Sequence, residues 1–299
     1  MKVRIGFGLG TLGATQDGAT FGALVETLEA LRFDSLWLSE RATGPTLDPL
    51  VALSVAAGRS TRLKLGTSVQ VLPGRNPVLL AKEWASLDVL SNGRTLPAFG
   101  LGVVDPTEQQ AFGVAREERA AWFDEALPLM RRLWTEPTVD HDGARFHYTG
   151  VGIGVLPVQR PPDVWLGGRA PGELRRVGRL ADGWLPSFTT PEEAAAGREV
   201  VMEAASAADR VIDPEHWGAL VAYAHDTIPE PIAALVAKRL PGADPAEVVP
   251  VGHDALRTVL EGFLAAGFSK LVPVPFGTAI DDWERELADL ADATLDLQN

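Results

Sequence analysis

The sequence predicts an α/β chain folded as a (β/α)8 TIM barrel, and three observations predict it. Short apolar runs alternate with longer stretches of helical period, which calls for a parallel sheet flanked by helices. The first four strands recur about every 30 residues, the length of one βα unit. Eight such strands fit within 299 residues.

Val3–Leu9 reads as the first strand, and Thr20 to Leu31 as a helix with Leu24, Leu28 and Leu31 on one face. Ser35–Leu38 is the second strand, followed by a helix over Leu47–Gly58. Leu63–Leu72 is the third. Its helix has Asn76 at the N-cap, Pro77 at N1 and an Asn92-Gly93 stop. Arg94–Leu101 is the fourth strand, after which Glu117–Trp134 forms a long amphipathic helix. A hairpin turning at Asp142-Gly143 follows, within an insertion over about 136–160.

The rhythm resumes with Val164–Leu166 and Gly183–Leu185. Thr190 and Glu193 then form a capping box. Trp217–Ala224 and, after a long segment, Lys270–Phe276 complete the eight, with a closing helix from Asp281. All 299 residues read as a single barrel domain. A doubly wound sheet is the competitor, because Gly8-Leu9-Gly10 with Gly13 matches a G-x-G-x-x-G turn; no acidic residue stands at the fingerprint's distance from it.

Composition narrows the function. There is no cysteine, which excludes disulfides, thiolate nucleophiles and zinc–thiolate sites. The net charge is −13, concentrated in residues 101–299, so nucleic acid is excluded as a partner. No apolar run spans a membrane. The glycine-rich start reads as a strand and loop rather than a signal peptide, which places the chain in the cytoplasm.

In a barrel the chemistry sits at the C-terminal strand ends. Those ends are Gly8 to Gly10, Ser39-Glu40-Arg41, Thr67-Ser68-Val69-Gln70, Gly100 to Gly102, Gly167-Gly168-Arg169, Pro186-Ser187 and His225-Asp226. Glycine at three of these mouths, with small Thr67 and Ser68 beside them, suits a large planar ligand lying close to the backbone. Gly167-Gly168-Arg169 before Pro171 reads as an anion site at a helix N-terminus, with Arg175, Arg176 and Arg179 adding charge or facing solvent. Glu40 and Arg41 are the candidates for proton transfer and substrate polarisation, against the alternative of a rim ion pair. His225 is a further candidate acid. His216 and His225 face opposite sides of their strand, so no metal site is expected. With so little acid–base equipment, the chemistry has to come from a cofactor.

These residues resemble the bacterial luciferase-like oxidoreductase superfamily of flavin and deazaflavin barrels. The matching stretches are Leu31–Glu40, Leu65–Val69, Pro73-Gly74-Arg75-Asn76-Pro77 through Asn92-Gly93-Arg94 to Gly102, Trp165-Leu166-Gly167-Gly168, and Ala181–Pro186. Within it the chain is most similar to the branch associated with the deazaflavin coenzyme F420. The resemblance implies hydride transfer between F420 and a small organic substrate. Gly8, Ser39, Thr67, Ser68, Val69, Gly100, Gly102, Gly167, Gly168 and Arg169 would then hold the cofactor, its phosphate at the last three. It also implies a cis peptide at Ser68-Val69 and allows a homodimer. Ser39-Glu40 replaces an Asp-His pair found in many relatives, and Val103-Val104 replaces a carboxylate of sugar-oxidising ones, which argues against sugar phosphates. The alternatives are an FMN-dependent monooxygenase using reduced flavin and O2, and a non-catalytic flavin-binding barrel.

Overall fold

A computed structural model describes residues 1–10, 17–242, 244–276 and 282–299. Barrel strand one is β1 (Arg4–Ile5) with β2 (Phe7–Leu9), followed by α1 (Gly18–Leu31); strand two is β3 (Ser35–Leu38), followed by α2 (Pro49–Arg59). Strand three is β4 (Lys64–Thr67) with β5 (Gln70–Val71), then α3 (Pro77–Leu90). Strand four is β6 (Thr95–Leu96) with β7 (Ala98–Gly100), then α4 (Pro106–Phe112) and α5 (Arg119–Thr135). The inserted hairpin is β8 (Val139–Asp142) with β9 (His147–Val151).

Strand five is β10 (Trp165–Leu166) with α6 (Pro171–Leu180), and strand six is β11 (Gly183–Trp184) with α7 (Pro191–Ser206). Strand seven is β12 (Gly218–Tyr223), followed by α8 (Glu230–Arg239), α9 (Pro245–Val248) and α10 (His253–Ala265). Strand eight is β13 (Lys270–Pro275), and α11 (Trp283–Thr294) ends the series.

The strands pair in parallel around a ring. β1 joins β13, β13 joins β12, and β11, β10, β7 and β5 run on in order, while β2, β3, β4 and β6 complete the circuit. Between strands six and seven the contact consists of the isolated pairs Trp184–Trp217 and Ser187–Leu220. Strand one beside strand eight is a barrel pairing, and it rules out the doubly wound sheet. Residues 11–16, with Gly13 of the G-x-G-x-x-G match, lie outside the described residues, as does Asp281.

Local signals explain the starts of the helices. Asp17 accepts from the Ala19 and Thr20 amides, so α1 opens two residues before the predicted Thr20. Asn76 caps α3 and the Thr190–Glu193 capping box opens α7, as predicted. Helix α4 was not predicted. Its seven residues hold no apolar stripe, although Asp105, Pro106 and a left-handed Gly113 mark both ends. The hairpin turn is centred on Ala144-Arg145, two residues beyond the predicted Asp142-Gly143: Asp142 pairs with His147, and the Gly143 amide donates to the Phe146 carbonyl.

Inside the barrel, Trp37 and Trp165 meet edge to face at 6.2 Å, packed with Leu96, Ala98, Leu185 and Val272. A second layer of apolar side chains lies between strands and helices. At the N-terminal end, Lys270, 3% exposed, donates to Asp34 at 2.6 Å, and Arg4 pairs with Glu215 at 2.6 Å. Asp182 joins Arg131 and Arg210 there. Among the described residues no helix is long and apolar enough to cross a membrane.

Candidate functional site

The C-terminal mouth is roofed on one side. Ile232, Val236 and Leu240, from α8 and its end, pack with Ala222, Ala224, Val274 and Phe276 of strands seven and eight. The Arg239 guanidinium lies 5.2 Å from the Phe188 ring, after strand six. The mouths of strands two to five face the other side.

There a half-open patch forms from Ser39, Ser68, Val69, Gly100 and Gly167. The Ser68-Val69 peptide is cis, as the resemblance implies. The Ser39 hydroxyl lies 3.0 Å from the Ser68 carbonyl and 3.2 Å from the Ser68 hydroxyl. A β-carbon on Gly100 would stand 2.5 Å from one methyl of Val69, and one on Gly167 would stand 3.2 Å from the other. These glycines therefore seat Val69 as well as baring backbone. The result is an apolar platform spanning the ends of strands three, four and five, with two hydroxyls at its edge.

Other predicted residues lie behind the platform. Thr67 is fully buried, and its hydroxyl donates to the Ala98 carbonyl while accepting from the Ala98 amide, so its hydrogen is spent within the wall. Gly8 is buried where a β-carbon would meet Val274 at 2.6 Å; it accommodates strand eight. Gly102 has a positive φ and rests against Arg119, whose guanidinium donates to the Leu101 carbonyl at 2.9 Å.

Glu40 and Arg41 part company. Arg41 turns to Glu108 at 3.4 Å and Asp105 at 3.9 Å, and Glu108 also receives the Ala42 and Thr43 amides. That assembly fixes the loop after strand two. Glu40 turns inward, accepting from the Val71 amide at 2.7 Å and pairing with Arg75. Burial pushes its carboxyl above the usual range, and Arg75 and the Val71 amide offset this only in part. Neither predicted residue is in a Glu40–Arg41 rim pair. Arg75 was not singled out for a role, although it stands in the Pro73–Pro77 stretch that carries the resemblance.

At strand five the helix N-terminus already holds an acid. Glu173 accepts from the Arg169 and Ala170 amides, both at 3.0 Å, and Gly168, at φ +97°, leaves room for that carboxylate. Two donors expected for a phosphate are thus occupied from within the chain. Arg169 reaches instead to the Arg239 carbonyl and lies 4.0 Å from Glu193. Arg239 is held below the usual arginine range by partial burial and by the charge of Arg169. Arg176 and Arg179 bind Asp124 on the outer face, at 2.6 and 3.3 Å. The cationic element at this mouth is therefore the Arg169–Arg239 pair, and its second member comes from the last turn of α8.

The histidines separate as predicted but not as free groups. His216 lies 3.7 Å from Asp163 at the N-terminal end, whereas His225 approaches Glu286 at 3.1 Å, outside strand seven and away from the platform. Beside Ser39 a hollow opens toward α1 and α2, lined by Leu9, Phe21, Leu38, Thr46, Leu47 and Ala52.

The family model described as luciferase-like monooxygenase matches residues 4–268. A phthiodiolone/phenolphthiodiolone dimycocerosates ketoreductase of Mycobacterium kansasii is 30% identical over 193 residues, covering 62% of this chain and 52% of that protein. The chain thus spans about half the length of the curated relatives it matches. An F420-dependent secondary alcohol dehydrogenase, solved with an F420-acetone adduct, superposes with a TM-score of 0.82 at 16% identity, covering 100% of both chains. Monooxygenase RslO1 from Streptomyces bottropensis gives 0.80 at 22% identity, covering 98% of this chain and 99% of its own. At these identities the structural likeness is one of fold.

Proposed function

Because the chain belongs to the luciferase-like monooxygenase family, we propose that it is an oxidoreductase transferring a hydride between coenzyme F420 and a small organic substrate. The observation that carries this reading is the half-open platform, Val69 seated between Gly100 and Gly167 with the Ser39 and Ser68 hydroxyls at its edge. A flat tricyclic ring needs an apolar seat with few hydrogen-bonding groups at its rim, and these residues fit one. Arg169, with Arg239, fits the acidic tail of such a cofactor; Glu173 confines that tail to the guanidiniums. When bound, the deazaflavin supplies a carbon that accepts or donates hydride.

The chain's own residues provide the rest. Glu40 is buried beside the platform's strands and keeps its proton to higher pH than an exposed glutamate, so it is the group to exchange a proton with substrate. Arg75 holds it in place. The hollow beside Ser39 is largely apolar and suits an apolar or amphipathic substrate. The ketoreductase relative favours a carbonyl or secondary alcohol as the reacting group.

The monooxygenase description of the family favours a second reading, FMN with O2. Titrating the purified protein with F420 and with FMN, followed by absorbance, separates the two. Tighter F420 binding is expected; tighter FMN binding supports the monooxygenase, and indifference to both removes the enzyme reading. Arg169→Ala is expected to weaken cofactor binding roughly 10- to 100-fold, the range of a charge-assisted contact. A homodimer, measured by sedimentation, would use the exposed Val51, Val55, Leu79 and Leu90 of α2 and α3.

A further inference from the structure

Away from the platform, three segments bring nitrogen and oxygen donors to one point. His225 follows strand seven, His253 is the first residue of α10, and Glu286 stands in the first turn of α11. The Nε2 of His225 is 3.1 Å from Glu286 Oε2, and the Nε2 of His253 is 3.7 Å from Oε1. All three ligand atoms lie within 4.8 Å of one another. The His253 Nε2 is buried and has no hydrogen-bond partner. The Tyr223 hydroxyl donates to Glu286 Oε1, and its ring lies 5.8 Å from His225 and 5.7 Å from His253.

We propose that His225, His253 and Glu286 form a zinc site that ties strand seven to α10 and α11. Zinc takes imidazole nitrogen and carboxylate oxygen at about 2.0–2.2 Å in tetrahedral geometry. That geometry separates neighbouring donors by about 3.4 Å, and three ligand atoms within 4.8 Å of one another can close on one ion with small side-chain rotations. Two imidazoles and one carboxylate, with no thiolate, form a donor set suited to zinc. The Tyr223 hydroxyl orients the carboxylate, as outer groups do at such centres. His225 is half-exposed, so the fourth position opens to water, and the buried His253 nitrogen, which is only 3.7 Å from Glu286 and makes no hydrogen bond, gains a ligand bond. Its ligands come from the end of strand seven, from α10 and from α11, so the bound ion clamps the final βα units of the barrel together.

The test uses tag-free full-length protein stripped with a chelator and titrated with Zn2+ by calorimetry, with metal content read by mass spectrometry. One equivalent per chain is expected, together with a rise in Tm on zinc addition. His253→Gln and Glu286→Gln should each weaken binding about 100-fold or more, since loss of even an outer-shell partner costs 10- to 100-fold. The more exposed His225→Gln keeps the test valid if a buried variant fails to fold. His147→Gln, in the exposed hairpin, should change nothing. Substoichiometric uptake, or uptake equal in wild type and the His225→Gln/His253→Gln double variant, overturns the proposal.

Discussion

Two glutamates at opposite ends of the barrel have opposite chemistry. Glu29, at the N-terminal end, accepts from the Thr61 amide and hydroxyl and from the Arg62 and Leu63 amides. Burial pushes its carboxyl up, but these donors outweigh it and bring the pKa to about 2. Glu40, at the C-terminal end, has one amide and one guanidinium against deeper burial, and its pKa moves upward. Ionised oxygens at the first end are saturated and hold the turn into strand three. At the second, burial outweighs the two donors and the carboxyl titrates above the usual range. The difference follows from donor count against burial, and it is what the role proposed for Glu40 rests on.

The largest expected effect breaks the N-terminal end. Lys270→Met strips Asp34 of its buried partner and should cost about 3–5 kcal/mol in urea unfolding. Burial lowers Lys270 to about 8 from an ordinary 10.5, so between those values the unfolded chain binds more protons and stability rises with pH. Subtracting the Lys270→Met profile from that of wild type should isolate the rise. Its absence would mean that the pair is more open to water than described.

At the other end, Glu40→Gln should lower turnover roughly 100-fold while leaving cofactor binding intact. The wild-type kcat profile should show a limb above the usual glutamate value, missing from the variant; unchanged turnover would make Glu40 another Glu29. Gly100→Ala drives a methyl into Val69 and should cost about 1–3 kcal/mol by denaturant titration, with weaker cofactor binding. Val69→Ala in the same chain should restore part of the loss. The smallest effect is Glu29→Ala, about 1 kcal/mol at neutral pH, since water reaches the abandoned amides. Glu29 contributes its stability above pH 4.5 and loses it as the pH falls toward 2, so wild type and variant should converge in acid.

The barrel was legible because its signals are local and repeated. Asn76-Pro77, Asn92-Gly93 and the Thr190–Glu193 box each set a boundary without tertiary help. Residues at the mouth were legible as positions but not as roles. Spacing brought Ser39, Ser68, Val69, Gly100 and Gly167 to one end, yet only coordinates show that the glycines seat Val69. Partners distant in sequence stayed hidden: Arg75 for Glu40 and Glu108 for Arg41. Glu173 was overlooked although it stands only three and four residues from the amides it takes at strand five. Helix α4 was missed because helical period needs more than seven residues to register. His225, His253 and Glu286 have no ligand spacing in sequence, since three separate elements carry them.

The ring's joint between strands six and seven has a consequence for how the cylinder breathes. Elsewhere neighbouring strands share ladders, but here two lone pairs stitch the wall, through amides of Trp184 and Leu220 donating to the carbonyls of His216 and Pro186. A slit should open along that line before any other, and deuterium should replace hydrogen at those two amides ahead of the long β12–β13 ladder beside them. Cooperative rupture of the whole wall at once would show the stitch to be as firm as the rest.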